Sequence, residues 1–298
     1  TQYTSSAASD VYKRQVVNIA GYKFVELNDL DSLRKKILSH CQENELKGSV
    51  LLSKNGINFF LAGSQKSIDT FLSLLNRDPR LSEIPIKFSY TEYQPFRRMF
   101  VKKKKEIISL GMDEIQPLKF TGPHITTGEF KDMLDRGSDV VILDTRNIYE
   151  TRVGRFRGAI DLQIPTFRHF PEAVKKLPDD MKSKTIVMYC TGGIRCEKAS
   201  VVMLNSGFRD VRQLEGGILA YLDDFGDSHW EGDCFVFDQR VALDANLEES
   251  NIQMCFRCRE PLSVKEQMSE KYVLGKTCPY CYEAVSYTHL RAHETCLD

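Results

Sequence analysis

No apolar run among the 298 residues approaches the ~20 that a helix needs to cross a bilayer, so no membrane span is expected. Charge of one sign is missing as well. The 41 Lys and Arg meet 41 Asp and Glu, which leaves any attraction to an acidic partner to local patches. Thr1 to Gln15 lack the apolar core of a secretory signal. No iron-binding triad, flavin site or Rossmann glycine fingerprint is evident, so no organic cofactor is expected. The nine cysteines do not form the dense framework of a small secreted domain. Most sit in one loop and two Cys-x-x-Cys pairs, which points to a reducing cytoplasm. What is present, 42% hydrophobic residues over this length, suffices for two or three compact domains.

The stretch from Lys184 to Leu204 organises the rest. Thr185 to Tyr189 reads as a buried strand, Gly192-Gly193 breaks it, and Ala199, Val202 and Met203 follow helical spacing from about Cys196 onward. Cys190 is therefore expected at the tip of a buried strand, on a glycine loop that opens into a helix. Unpaired N–H groups and the helix dipole there favour a thiolate and can stabilise an anionic adduct. Arg195 adds a permanent positive charge. The bland alternative is an inert buried cysteine before an ordinary turn.

Cys190-Thr191-Gly192-Gly193-Ile194-Arg195 resembles the active-site loop of rhodanese domains, which carry sulfur as a cysteine persulfide. The resemblance implies catalytic roles for Cys190 and Arg195, with Thr191, Gly192, Gly193 and Ile194 as the loop. Four residues separate Cys190 from Arg195, as in sulfur-handling rhodaneses. The related phosphatases usually have a loop one residue longer, so phosphatase activity is disfavoured. Asp144, Arg146 and Glu150 match the rhodanese Asp-x-Arg and the acidic position after it. Asp144 and Arg146 are read as an ion pair bracing the loop, with Arg146 reaching the pocket as the alternative. Cys196 either packs in the first helical turn or resolves a persulfide or disulfide. Packing is favoured, because near neighbours seldom form relaxed disulfides.

Residues 16–111 alternate strands and helices. Val17–Leu27, Gly48–Ser53, Ile57–Ala62 and Ile84–Tyr90 read as strands. Asp29 or Asp31 is expected to cap one helix and Ser64 or Ser67 a second. This βαββαβ order predicts a ferredoxin-like sandwich. Residues 16–120 hold 17 Lys and Arg against 12 Asp and Glu, so the front of the chain is basic. Arg97, Arg98, Lys102, Lys103, Lys104 and Lys105 are candidate phosphate contacts, and Tyr93, Phe96 and Phe100 candidate stacking surfaces for unpaired bases. The alternative is a solvated strand edge that its lysines protect from aggregation.

Lys47-Gly-Ser-Val-Leu-Leu, Asn55-Gly-Ile-Asn58, Ile68-Asp-Thr-Phe-Leu and the run from Gln94 to Gly111 resemble one rhodanese subfamily, the bacterial oxygen-dependent tRNA uridine-34 hydroxylases. The resemblance extends from about Val16 to Ala284. It departs at one turn, where members usually read Glu-Gly-Ile-Asn-Gly and this chain has Asn55 and Phe59. It implies hydroxylation of uridine 34 to 5-hydroxyuridine, with Cys190 essential and molecular oxygen as co-substrate. The implied partners are tRNA and a small-molecule or protein donor of sulfur or electrons. The loop alone would favour a plain sulfurtransferase working through a Cys190 persulfide. A non-catalytic RNA- or sulfur-sensing scaffold is disfavoured by the presence of both Cys190 and Arg195.

A linker at 112–123 leads into a rhodanese α/β domain at 124–228, expected as a parallel sheet with helices on both faces. Residues 229–284 form a cysteine-rich element that opens on a hairpin from Trp230 to Val241. Cys255, Cys258, Cys278 and Cys281 make two Cys-x-x-Cys pairs nineteen residues apart, a spacing suited to a structural Zn²⁺ held by four thiolates. Free or redox cysteines are the alternative there. The flanks 1–15 and 285–298 resemble translated adapter sequence and are set aside, together with His289, His293 and Cys296.

Overall fold

Alternating apolar residues along three consecutive strands build the first layer. In a computed structural model of the chain, residues 15–282 are described; His289, His293, Cys296 and nearly all of both flanks lie outside them. The N-terminal elements are β1 (Val16–Phe24), α1 (Leu30–Glu43), β2 (Lys47–Ser53), β3 (Gly56–Gly63), α2 (Gln65–Asn76), β4 (Ile86–Thr91) and β5 (Met99–Lys103). The sheet runs β4-β1-β3-β2-β5, antiparallel except where β5 joins β2 in parallel. This is the ferredoxin-like order with an added edge strand.

Period-2 geometry sends Val17, Ile19, Val50, Leu52, Phe59, Leu61 and Val101 to one face, where α1 and α2 bury them. Ser64 caps α2 by accepting from the Ser67 N–H. Asp29 occupies the cap position of α1, but its carboxylate makes no cap hydrogen bond and pairs with Arg80 at 2.6 Å. Asp31 lies in the first turn and pairs with Lys103.

The central unit comprises β6 (His124–Ile125), α3 (Thr127–Asp135), β7 (Val140–Asp144), α4 (Ile148–Thr151), β8 (Gly154–Phe156) and β9 (Ile160–Asp161). It continues with α5 (Phe170–Val174), β10 (Thr185–Tyr189), α6 (Ile194–Asn205), β11 (Asp210–Leu214) and α7 (Gly217–Phe225). Its sheet, β6-β11-β10-β7-β9, is parallel throughout. Along β10, Ile186 and Met188 enter one core while Val187 and Tyr189 enter the other, so both faces are covered. Ile115, in the expected linker, and Leu110, at the end of the expected N-terminal domain, pack into the first of these cores.

The segment expected as one hairpin divides. β12 (Trp230–Gly232) pairs with β8 of the central unit, because Trp230 packs against Phe156 and Tyr189 there. Only β13 (Cys234–Phe235) and β14 (Ala242–Leu243) form a hairpin. β15 (Gln253–Met254), β16 (Pro261–Leu262) and α8 (Val264–Gln267) complete the described chain.

Candidate active site

Cys190 follows the last residue of β10, fully buried, where a parallel sheet opens its functional end. Gly193 caps α6 at φ 99°, and its N–H donates to the Cys190 sulfur at 3.1 Å. A second glycine pair fixes the loop from behind. The N–H groups of Ile218 and Leu219 donate to the carbonyls of Cys190 and Thr191 at 3.0 and 3.1 Å. A side chain at Gly217 would stand 2.4 Å from the Cys190 carbonyl oxygen, so only glycine allows that approach. Burial pushes the Cys190 thiol up. The Cys196 thiol, the Arg195 charge and the N–H groups of Arg195 and Gly193 outweigh it and bring the group down to about 5. Cys196 moves the other way, raised by its own burial and by the neighbouring Cys190. It is fully buried, with its sulfur 3.7 Å from the Thr145 hydroxyl.

Arg195 does not close the ring alone. Its guanidinium donates to both oxygens of buried Glu150, at 2.6 and 2.7 Å, and lies 3.5 Å from the Thr191 hydroxyl. Glu150 also accepts the Asn147 N–H at 3.1 Å, which ties the pair to the start of α4. Arg146 grips Asp144 with its Nε and Nη2, donates to the Gly154 carbonyl at 2.6 Å, and lies beside the rings of Tyr189 and Trp230. It has no exposed surface, and these contacts join the end of β7 to β8 and to the aromatic cluster of the core.

In the C-terminal element, the four cysteine sulfurs lie within 4.8 Å of one another, with separations of 3.9 Å for Cys255–Cys281, 3.4 Å for Cys258–Cys278 and 3.7 Å for Cys278–Cys281. Four sulfurs at ~2.3 Å from one zinc would sit ~3.8 Å apart in a regular tetrahedron. The quartet can bind a metal.

Residues 16–107 match the family described as UPF0176 acylphosphatase like domain, and residues 126–224 match the Rhodanese-like domain. The tRNA uridine(34) hydroxylase of Cupriavidus necator is 47% identical over 272 residues, covering 90% of this chain and 96% of that protein. Its counterpart in Ralstonia nicotianae is 46% identical over the same shares. The chain belongs to the tRNA uridine(34) hydroxylase family. Among solved structures, the rhodanese-like domain of an Anabaena protein is similar over 37% of this chain and 79% of that one, at 25% identity and a TM-score of 0.31.

In this family member the departure at Phe59 has a local account. Phe59 is buried under α2, edge-on to Phe71, and its ring lies against Gly21, where a side chain would meet it at 2.7 Å. The basic run is divided in use. Lys103 pairs with Asp31 and Lys105 with Asp113, whereas Lys102 lies over the Phe100 ring. Arg97, Arg98 and Lys104 are exposed and have no carboxylate partner among the described residues.

Several residues near the loop were not legible from motifs. Tyr22 reaches across from β1, donating to Glu197 at 3.2 Å and standing 3.0 Å from where a Gly193 side chain would begin. Glu197 also receives the Thr121 hydroxyl at 2.7 Å. Lys198, buried on α6, pairs with Glu106, which accepts the N–H groups of Leu110 and Gly111 at 3.0 Å. One signal was available: a lysine amid the apolar residues of a buried helix requires an acidic partner. Phe237, beside Arg195 at 5.9 Å, had no such signal.

Proposed function

We propose that this protein hydroxylates uridine 34 of tRNA, with the Cys190 thiolate as the reacting group and Arg195, held by Glu150, as the positive charge beside it. The supporting observation is the Cys190 loop, with its lowered thiol, inside a chain 47% identical to a protein named for that reaction. Oxygen is the co-substrate. Placing one atom of O₂ on uracil leaves the other to be reduced to water, so a small-molecule or protein donor supplies two electrons. The tRNA substrate is met in the cytoplasm. No helix among the described residues is long and apolar enough to cross a membrane. The four C-terminal cysteines hold a structural Zn²⁺, remote in role from the reaction.

The test is mass spectrometry of nucleosides from tRNA incubated with protein, reductant and isotopically labelled oxygen gas. Labelled 5-hydroxyuridine is expected. The loop also supports a sulfurtransferase reading. That reading requires a thiosulfate-dependent persulfide on Cys190 with no label in the RNA, and this result would replace the first proposal.

Affinity for tRNA is expected to draw on the unpaired cations. Replacing Arg97, Arg98, Lys102 and Lys104 with glutamine should weaken binding and lower the salt slope by ~0.7–0.9 per lost phosphate contact. Replacing Lys103 and Lys105, already paired with Asp31 and Asp113, should change the slope less. Equal slopes in wild type and the fourfold variant would return the run to a solvated strand edge.

A further inference from the structure

The face of the N-terminal sheet away from its helices is not ordinary surface. The register places Ala20, Phe60, Ser49 and Phe100 side by side across β1, β3, β2 and β5. At the β5 end this row opens into a cavity of about 410 Å³, lined by Ser49, Phe96, Arg97, Arg98, Phe100 and Phe237. Its size falls in the ~300–1,000 Å³ range of small-ligand pockets. Phe100 and Phe237 are 43% and 46% exposed, so two large rings face the opening with much of their apolar surface in water.

The chemistry of this lining is specific. Flat apolar rings meet guanidinium groups that have no carboxylate partner among the described residues, and Lys102 sits 4.7 Å above the Phe100 ring. A ligand matching both must carry a flat face and a negative charge, which describes a nucleotide. The position is equally telling. Phe237 touches Phe60 of the sheet, with ring centroids 6.2 Å apart, and lies 5.9 Å from the Arg195 guanidinium. One ring is therefore shared between the cavity and the Cys190 loop.

We infer that this cavity is a stacking subsite for the nucleotide next to the modified uridine, its base against Phe100 and Phe237 and its phosphate on Arg97 and Arg98. The inference rests on the tRNA reading above. A uridine entering the Cys190 loop must leave its stack, and its neighbour then loses a stacking face. Phe100 and Phe237 replace that face, which lowers the cost of extruding the uridine and sets how far the RNA can enter.

The experiment uses the full chain and anticodon stem-loop RNAs, one intact and two lacking the base on one side or the other of the target uridine. Phe100→Leu and Phe237→Leu should each weaken binding of the intact RNA by roughly tenfold, and Phe100→Tyr should restore it. The Phe100→Leu penalty should vanish on one of the two abasic RNAs and persist on the other. 2-Aminopurine at that same nucleotide should be quenched on binding wild type and much less on binding Phe100→Leu. Leucine variants that bind every RNA as wild type does, or lose the same factor on all three, would overturn the subsite. The labelled-oxygen assay separates the two proposals. Hydroxylation without coupling between Phe100 and one base defeats the subsite alone, and absence of hydroxylation by wild type defeats the functional reading alone.

Discussion

Cys190→Ser is expected to abolish 5-hydroxyuridine formation, by roughly 10³-fold or more, while the fold survives. Serine keeps the shape of the loop and can still receive the Gly193 N–H, but it has no sulfur and its hydroxyl stays un-ionised at neutral pH. The pH dependence carries an independent signature. The ordinary cysteine value is 9.0, and the folded group lies near 5 because the Cys196 thiol, Arg195 and two backbone N–H groups overcome its burial. A group lowered on folding binds fewer protons in the native state than in the unfolded one between those two values. Its stabilisation is therefore complete above about pH 9, falls as pH drops, and is gone below about pH 5. Wild type should thus gain stability relative to Cys190→Ser as pH rises through that window, measured by urea unfolding at several pH values. Activity should be level above neutrality and fall toward pH 5. A variant that keeps most hydroxylation would remove Cys190 from the centre of the reaction, and a wild-type stability difference flat across the window would show that its thiol is not lowered on folding.

Contiguity decided what could be read from the sequence. The Cys190 to Arg195 loop is six consecutive residues between a strand and a helix, so its identity and its place at the sheet's functional end were legible. The cysteine quartet was legible because tight knuckles fix the spacing within each pair. The partner of Arg195 was not: Glu150 stands 45 positions away in sequence, and a matched acidic position does not state which cation it meets. The basic run shows the same limit. Four consecutive lysines look alike in sequence, yet alternation along the β5 edge and the nearby Asp31 and Asp113 leave them in different electrostatic states.

Distance in sequence also hid the role of the first domain. Tyr22 is 175 residues from Glu197, and Glu106 is 92 from Lys198, yet both contacts fasten the N-terminal half to the helix that follows the Cys190 loop. The C-terminal hairpin adds a third tie, as Arg240 donates to Ser89 at 2.8 Å and the Gln239 N–H donates to the Pro95 carbonyl at 3.1 Å. A rhodanese unit alone would hold the sulfur without this surrounding wall. The physical consequence is a Cys190 loop whose following helix is held by side chains from outside the rhodanese unit.

Removing metal is expected to unfold the C-terminal element and little else. Among the described residues, its core cluster contains, apart from the cysteines, only Leu262, with Tyr272 packed beside it, too few apolar groups to offset the ordering of some thirty residues. Local hydrogen bonds close the first knuckle, where the Cys255 N–H donates to Glu260 at 2.9 Å and the Arg259 N–H donates to Cys255 at 3.0 Å. Such turns are weak without a centre to hold them. Four-thiolate zinc sites contribute ~10–16 kcal/mol of apparent binding energy near neutral pH, which is ample here. Purified protein should therefore carry about one zinc per chain by elemental analysis, and Cys255→Ser/Cys278→Ser should carry almost none. Chelation, or the double substitution, should expose residues 251–282 to protease while the parallel sheet keeps its protection. The contacts of Arg152 with Glu260 and with the Tyr280 ring, at 4.2 Å, should then be lost, since both partners belong to the released element. Negligible zinc in both proteins, with equal protease resistance of that element, would show that the fold of the quartet does not depend on metal.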